Sequence, residues 1–446
     1  MANYEQKLAD LGMKIPSILM PRKDVDLSKW AVVACDQFTS EPEYWEEVAA
    51  DVGDAPSTLH LIYPEVYLNE ADKDQRIDRI NAKMDEYLRE GILEAHEPAL
   101  FLLRRDTPHS PSRWGVIAAL DLERYDFSKD STSLIRATEG TILDRIPPRK
   151  QIRKNAAVEL PHIMVLVEDP QKTLIEALRN HVQDYEKVYD FDLMKDGGHL
   201  TGYKVDRPDL LENFASSLEK LADPRSFAER YGTEDVLLFA MGDGNHSLAT
   251  AKSVWEDLNA ANPKDPAIME HPARWALVEI ENIYDDGLVF EPIHRVVFDS
   301  DFSTFEGELK KLGRVSFKDC NSVEEVVEKV EKSGDPQVIG FLDSKRTGIF
   351  TIHDSNYTIA AGTTQAAIDA LTEKGTNEVD YIHGLEATES LGRRKGNFGL
   401  ILPSLDKSDF FKTVIQDGAL PRKTFSMGEA NEKRYYVEAR KIKQYY

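Results

Sequence analysis

A chain of 446 residues is too long for one ordinary core, so two or three structural units are expected. Its 41% hydrophobic and 30% charged residues are typical of a globular protein, and no apolar run approaches the roughly 20 residues that span a bilayer. The formal net charge of -24 disfavours duplex DNA and other long polyanions, because most of the surface would repel them. A small anionic ligand needs only a local positive pocket and stays compatible with this charge.

Cysteine usage and the N-terminal segment bear on the compartment. Cys35 and Cys320 are the only cysteines, too few for a disulfide framework and without the spacing of a zinc site, which fits a reducing compartment. Residues 1–17 lack the basic and apolar pattern of a secretion signal. We therefore expect a cytoplasmic protein that binds neither membranes nor nucleic acid, while its oligomeric state stays open.

Strand-like and helical patterns alternate in the first part of the chain. A buried strand is predicted over 30–38, and it ends in a polar turn that carries Asp36. Apolar residues at helical spacing predict a surface helix over 73–91. The runs 98–105 and 114–122 are predicted to be paired strands.

A second series of elements follows. An apolar strand is predicted at 162–169, and residues 170–232 are expected to be largely helical with a short extended interruption. A buried strand at 235–241 and a helix at 248–261 come next, followed by two more strands within 273–298.

A shift in composition near residue 299 predicts a domain boundary. Residues 1–298 would form a main α+β domain that contains the candidate site. Residues 299–446 would form a smaller α+β domain whose C-terminal segment returns to that site. The predicted fold class is α+β, with mixed sheets and helices.

The corner between the strand at 235–241 and the following helix is the first candidate site. A glycine-containing turn into a helix can bind an anion, because the first amides of a helix are unpaired and lie at the positive end of its dipole. The alternative is an ordinary turn in which Asp243 or Asn245 caps the helix. The corner follows neither the Walker nor the dinucleotide-binding pattern, and its polar residues and glycines are Gly242, Asp243, Gly244, Asn245, His246 and Ser247.

A basic segment at 145–154 is the second candidate, since it contains five basic residues and no acidic one. Its arginines, Arg145, Arg149 and Arg153, could pair with phosphate oxygens or a carboxylate. The prolines at 147 and 148 predict a stiff, extended loop, and a solvated surface loop is the alternative. The nearby Glu139 could accept a proton from a substrate hydroxyl or hold a metal ion.

The segment 421–430 is the third candidate, because Lys423 and Thr424 provide a cation and a hydroxyl. A polar C-terminal loop is the alternative. Neither an HExxH nor a GxSxG pattern occurs, which disfavours a zincin and an α/β-hydrolase.

These segments resemble a large bacterial and archaeal family known mainly as a conserved domain of unknown function. Its hallmark, Asp-Gly-His-His-Arg after a strand and at the start of a helix, matches positions 243–247. The resemblance extends to 137–145, 292–298 and 420–430. Asn245 and Ser247 depart from the hallmark, so one cation of the motif is missing here.

The hallmark is in turn similar to the nucleotide-binding corner of the ParB and sulfiredoxin superfamily, which includes kinases of free L-serine. This resemblance implies a ParB/sulfiredoxin-like core, ATP or ADP as cofactor, Mg²⁺ held by Asp243, and phosphates held by His246 and the neighbouring corner. It implies phosphoryl transfer to a small hydroxyl metabolite, with Glu139 or Asp36 as the base. The alternatives are a nucleotide- or phosphometabolite-binding regulator without turnover and a DNA-binding protein, which the charge disfavours.

Overall fold

The computed structural model describes residues 2–108, 110–373 and 377–443. The chain divides into two compact units, one formed by Met1–Val289 with Gly428–Tyr446 and the other by Phe290–Met427. This division differs from the boundary predicted at residue 299, and the α+β class is confirmed.

The helices of the first unit bury one face each. In the long helix α4, for example, Ile77, Ile80, Met84 and Tyr87 are buried at spacings of three and four residues. The helices are α1 Asn3–Asp10, α2 Leu27–Trp30, α3 Pro42–Val52, α4 Lys73–Arg89, α5 Ile146–Arg153, α6 Ile175–Arg179, α7 Pro208–Leu221, α8 Pro224–Tyr231 and α9 Asn245–Ala261.

The strands of the first unit up to residue 289 are β1 Met13–Lys14, β2 Leu19–Pro21, β3 Leu93–Ala95, β4 Leu100–Asp106, β5 Arg113–Asp121, β6 Tyr125–Asp126, β7 Ile135–Arg136, β8 Val158–Glu159, β9 Met164–Val167, β10 Glu186–Asp192, β11 His199–Val205, β12 Phe239–Asp243 and β13 Trp275–Asn282. Most of them form one mixed sheet in the order β10-β11-β4-β5-β13-β9-β12-β7-β6, with β1 beside β5. The central strands β5 and β13 are buried at every position. Both faces of the sheet centre are therefore covered.

The second unit is a smaller α+β structure. Its helices are α10 Phe302–Leu312, α11 Val323–Lys332, α12 Ala360–Thr372, α13 Leu385–Gly392 and α14 Lys407–Asp417. Its strands are β14 Phe290–Phe298, β15 Arg314–Asp319, β16 Val338–Asp343, β17 Thr347–His353, β18 Glu378–His383, β19 Phe398–Ile401 and β20 Phe425–Met427. They pair antiparallel in the order β15-β17-β16-β19-β14-β18, with β20 beside the start of β14.

The last segment of the chain returns to the first unit. Its strand β21, Arg440–Lys441, pairs antiparallel with β8. Tyr435, Tyr436 and Val437 are buried in the core of this unit. Residues 428–443 therefore complete the core that the N-terminal part of the chain begins.

The prediction of a strand over residues 30–38 is wrong. Residues 31–34 are buried as expected, but they pair with the C-terminal segment through one isolated bridge, between Val33 and Tyr435, and do not join the large sheet. An apolar run predicts burial, whereas strand formation needs a partner that extends along its length. Local sequence patterns could not reveal this pairing, because Val33 and Tyr435 are about 400 residues apart in the sequence.

Two further predictions of local structure are corrected. The region 170–232 contains the antiparallel hairpin β10–β11 in addition to helices. The prolines at 147 and 148 do not hold an extended loop, because they lie in the first turn of α5. Proline is favoured there, since the amide it lacks would be unpaired in any case and its fixed φ suits a helix.

Across the described ranges, no helix combines the length and the apolar character needed to cross a membrane.

Candidate functional site

The predicted strand-to-helix corner is present in the structure. Strand β12 ends at Asp243, Gly244 follows with φ of 83°, and α9 begins at Asn245. A Cβ atom on Gly244 would lie 3.1 Å from the Cα of Ile163. Glycine is therefore required at this position both by its backbone conformation and by the close approach of the neighbouring strand. Gly242 lies within β12, where the register with β9 shifts between Met241 and Asp243.

The capping alternative for this corner is wrong. Helix α9 begins without a hydrogen bond from a capping side chain. Asp243 Oδ1 accepts from the amide of Gly244 at 2.8 Å, and its Oδ2 lies 3.5 Å from Lys433 Nζ. Asn245 Oδ1 accepts from the amide of Thr138 at 3.2 Å. Both candidate caps are therefore used in other contacts, and the start of α9 keeps its positive end without a side-chain cap.

The segment that contains Glu139 makes hydrogen bonds to this corner through residues that precede and follow Glu139 in the sequence. Before Glu139, the Thr138 hydroxyl donates to the carbonyl of Met241 at 2.6 Å. After it, the amide of Ile142 donates to His246 Nε2 at 3.3 Å, which requires that this ring nitrogen is unprotonated. The structure thus places the segment that contains Glu139 next to Asn245 and His246.

His162 links Asp36 to the first turn of α9. Its Nε2 lies 3.2 Å from Ser247 Oγ and 3.5 Å from Asp36 Oδ2. Its Nδ1 lies 2.7 Å from the hydroxyl of Tyr436. In a nucleophilic Ser–His–Asp triad the hydroxyl and the carboxylate contact opposite ring nitrogens. Here Ser247 and Asp36 share one nitrogen, so the cluster is not such a triad.

The charges of this cluster stabilise one another. Burial alone would lower the pKa of His162, but the Asp36 carboxylate, together with Asp243 and Glu65, outweighs burial and raises it. Burial likewise works against an ionised Asp36, but His162 more than compensates and holds the pKa of Asp36 well below its usual range. The contact therefore favours the ionised carboxylate and the protonated imidazole together. Burial raises the pKa of the neighbouring Cys35 thiol, which keeps it protonated.

The arginines of the basic segment lie on or next to α5. Arg149 NH2 contacts both carboxylate oxygens of Glu65, at 2.5 and 2.6 Å. Arg153 NH2 lies 2.5 Å from the buried Glu159. Arg145 is exposed, and its carbonyl accepts from Arg149 NH1. Arg149 and Arg153 thus hold α5 against neighbouring segments, in contrast to the alternative of a solvated surface loop.

A cavity of about 150 Å³ lies beside His162. Its polar wall includes Cys35, Glu65, Arg149, His162 and Ser247, so it joins α5 to the first turn of α9. Its apolar lining includes Leu61, Ile62, Leu68, Met84 and Ile152. A cavity lined by both charged and apolar groups is suited to a small ligand that has both kinds of group.

Lys423 and Thr424 belong to the second unit. Lys423 is exposed at φ of 55°, and the buried Thr424 donates its hydroxyl to the carbonyl of Pro421 at 2.5 Å. Their predicted place at the phosphates stays a prediction.

No group of three or more His, Cys, Asp or Glu side chains among residues 2–108, 110–373 and 377–443 is arranged to hold a metal ion. Magnesium is often bound by one or two carboxylates together with substrate phosphates. The assignment of Asp243 as a metal ligand therefore stays a prediction that needs a bound phosphate.

Sequence reasoning missed three residues of this site: His162, Lys433 and Tyr436. The available signal for His162 was its position directly before a buried strand, where polar side chains meet the end of a sheet. Lys433 and Tyr436 lie in a segment that looks like an ordinary polar tail, and only its return to the first unit places them here.

The family of the chain follows from a match over residues 19–374 to the model described as protein of unknown function (DUF1015). The chain belongs to this family. No curated protein matches the chain significantly.

Similar solved structures include free serine kinase. A mutant of that kinase in complex with AMP has a TM-score of 0.39 and 11% identity, covering 76% of this chain and 95% of the other. A complex with ADP has a TM-score of 0.38 and 10% identity, covering 73% and 92%. A conserved hypothetical protein from Pyrococcus furiosus has a TM-score of 0.35 and 11% identity, covering 72% and 90%. TM-scores of this size do not establish shared function.

Proposed function

We propose that the chain is a nucleotide- and Mg²⁺-dependent phosphotransferase that acts on a small hydroxyl metabolite, with free L-serine as the first substrate to test. The observation that carries the proposal is the cluster at the start of α9. There, the carboxylates of Asp36 and Asp243 meet the cations of His162 and Lys433 beside a cavity. Phosphoryl transfer depends mainly on positioning and charge neutralisation, which such a cluster can provide.

The phosphates would be held by the amides of Asn245, His246 and Ser247 together with Lys433 Nζ. Two observations support this fit. Helix α9 begins without a side-chain cap, so its first amides lie at the positive end of the helix dipole, and Lys433 is held by Asp243 at the same corner. The amide of His246 is the better ligand than its ring, whose Nε2 already accepts from Ile142.

A bound nucleotide would supply the transferable phosphoryl group, and Mg²⁺ would neutralise part of its charge. Asp243, whose carboxylate lies 3.5 Å from Lys433 Nζ, would hold the metal together with the phosphates.

Glu139 is the better of the two predicted bases. A carboxylate whose pKa is held low is a weak proton acceptor, and the contact with His162 lowers the pKa of Asp36 in this way. In the proposed step, the acceptor hydroxyl gives its proton to Glu139. Its oxygen forms the new bond to phosphorus as the bond to the nucleotide breaks. Asp36 then orients the ring of His162 and favours its protonated form.

The test is to incubate the protein with ATP or ADP, Mg²⁺ and L-serine, and to detect phosphoserine by mass spectrometry. Glu139→Gln should lower the rate by about 10²- to 10⁴-fold, the usual contribution of a general base. Glu229→Gln, at an exposed position on α8, is the matched control and should leave the rate unchanged. Absence of product from serine and from a panel of small alcohols would reject the phosphotransferase.

A second candidate is a regulator that binds a nucleotide or phosphometabolite without turnover. It is favoured by the pairing of Arg149 with Glu65 and of Arg153 with Glu159. Because both arginines are bound to carboxylates, they do not serve as ligands of a phosphate that is being transferred. Tight nucleotide binding by calorimetry, with no product from any small alcohol, would select this candidate. Turnover of any acceptor would reject it.

A further inference from the structure

The imidazole of His162 is placed as a ligand-binding group. Its ring is 8% exposed and lines the cavity. Three elements fix its orientation: the segment of Asp36, the first turn of α9 through Ser247, and the C-terminal segment through Tyr436. A ring held from three directions is pre-organised, so it loses little freedom when a ligand binds.

The charged groups that face this ring favour its protonated form, although burial of the ring opposes protonation. Asp36 contacts it directly, while Glu65 and Asp243 add negative potential from the cavity wall and from the end of β12. Lys433 opposes them, since it lies close enough to lower the pKa of Asp36. Tyr436 and Cys35 stay neutral, because burial raises the pKa of both side chains. The net effect raises the pKa of His162 above its ordinary value.

The other cations of the cavity wall are more tightly engaged. Arg149 and Arg153 are 2.5 Å from Glu65 and Glu159. The nitrogen of His162 is 3.5 Å from Asp36, which is a looser contact. The same nitrogen is within hydrogen-bond distance of Ser247 at the positive end of α9.

We propose that His162 and the Ser247 hydroxyl together bind an anionic oxygen of the ligand, of the phosphate type, at the cavity beside the first turn of α9. The Nε2–H group of His162 would then donate to the ligand oxygen in place of its long contact with Asp36. The inference rests on the proposed function in one respect, namely that the ligand is a phosphate compound.

The test measures binding of ADP, and of sulfate as a probe whose charge does not change with pH, by calorimetry on the full chain. His162→Gln should weaken both by roughly tenfold or more, the value of one charge-assisted hydrogen bond. His181→Gln is the matched control, because His181 is an exposed histidine of the same unit. It should leave both affinities unchanged.

The pH dependence separates this role from a structural one. Sulfate binding to the wild type should weaken as pH rises through the pKa of His162, which lies above its ordinary value of about 6.5. In Asp36→Asn the decline should move to lower pH, because the charge that raises the pKa of His162 is removed. This second variant retains the histidine and tests the proposal even if His162→Gln fails to fold.

The outcomes distinguish the two proposals. Binding of ADP that depends on His162, without phosphoryl transfer, supports this inference and rejects the phosphotransferase. Phosphoryl transfer with ADP affinity unchanged in His162→Gln rejects this inference alone. Sulfate binding that has the same pH dependence in the wild type and in Asp36→Asn also rejects it, and a wild type that binds neither probe rejects both proposals.

Discussion

Gly244 has two separate constraints, and each has its own energetic cost. Its φ of 83° disfavours any residue with a side chain, and its missing Cβ leaves room for Ile163. Gly232, at the end of α8, has the first constraint without the second, since its φ is 75° and a Cβ there would meet no atom within 4 Å. The two glycines therefore form a natural comparison.

Gly244→Ala should lower the free energy of unfolding by more than Gly232→Ala does. The left-handed conformation alone costs about 1–2 kcal/mol, and Gly244→Ala adds a small displacement of Ile163, whose Cα would lie 3.1 Å from the new Cβ. Urea denaturation of the two variants measures this difference. Gly244→Ala should also weaken ADP binding, and equal stability of the two variants would contradict the role assigned to the contact with Ile163.

The pair of Asp36 and His162 makes stability depend on pH. The folded-state pKa of His162 lies above its unfolded value, and that of Asp36 lies below its own. The pair therefore contributes fully between the unfolded values, about 3.9 and about 6.5. The contribution is lost as pH rises through the folded pKa of His162 or falls through that of Asp36.

The difference in unfolding free energy between the wild type and Asp36→Asn should thus be largest near about pH 5.5 and should shrink as pH rises above about 6.5 and through the folded pKa of His162. Urea titrations across this range provide the measurement. Asp74→Asn, at an exposed position on α4, shows the effect of losing one negative charge elsewhere. A difference that grows with pH would contradict the assigned charges.

At the scale of elements, Glu159 joins three segments around the site. Its Oε2 contacts Arg153 of α5 at 2.5 Å, and its Oε1 contacts Arg440 of β21 at 2.6 Å. The same Oε1 accepts from the amide of Leu277 in β13 at 2.9 Å. Because Glu159 is buried, its charge is tolerated only while these partners remain. The position of α5 and of the C-terminal segment therefore depends on this one carboxylate.

Arg440→Met should destabilise the protein by about 3–5 kcal/mol, since it leaves part of a buried carboxylate uncompensated. Chemical denaturation measures the loss. Arg207→Met removes an exposed pair with Asp209 and should produce no resolvable change. Comparable effects of the two substitutions would show that burial does not determine the value of the pair.

At the scale of the whole molecule, the unfolding of the two units can be followed by different spectroscopic signals. All five tryptophans lie in the first unit, namely Trp30, Trp45, Trp114, Trp255 and Trp275. The second unit has a phenylalanine-rich core instead, in which Phe341 stacks on Phe302 at a centroid distance of 4.3 Å. Tryptophan fluorescence therefore reports the first unit alone, whereas circular dichroism reports both.

Phe341→Ala should destabilise the second unit by about 3–5 kcal/mol, because Phe341 is fully buried. We expect part of the circular dichroism transition in urea to move to lower denaturant while the fluorescence transition stays in place. Trp45→Phe, in the first unit, is a reciprocal control that should move the fluorescence transition. Equal displacement of both signals by Phe341→Ala would mean that the units unfold together.

Local sequence patterns were sufficient to predict the helices, strands and turns that depend mainly on neighbouring residues. The apolar spacing within 73–91 predicts α4, the paired runs 98–105 and 114–122 predict β4 and β5, and the glycine corner predicts the transition from β12 to α9. The proline-led start of α5 was also readable from the sequence, although we interpreted those prolines as a loop. The sequence by itself therefore determined the class of fold and the position of the corner.

Only the tertiary structure decided which side chains meet at that corner. His162, Asp36 and Tyr436 are far apart in the sequence, and their contacts depend on the order of strands and on the return of the last segment. Such contacts are formed by long-range pairing and burial, which leave no periodic signal in the surrounding residues. For the same reason, the sequence left open whether Arg149 and Arg153 pair with phosphate oxygens or with a carboxylate, whereas folding pairs them with Glu65 and Glu159. The charge of a residue follows from its chemistry, but its availability depends on the partners that folding brings to it.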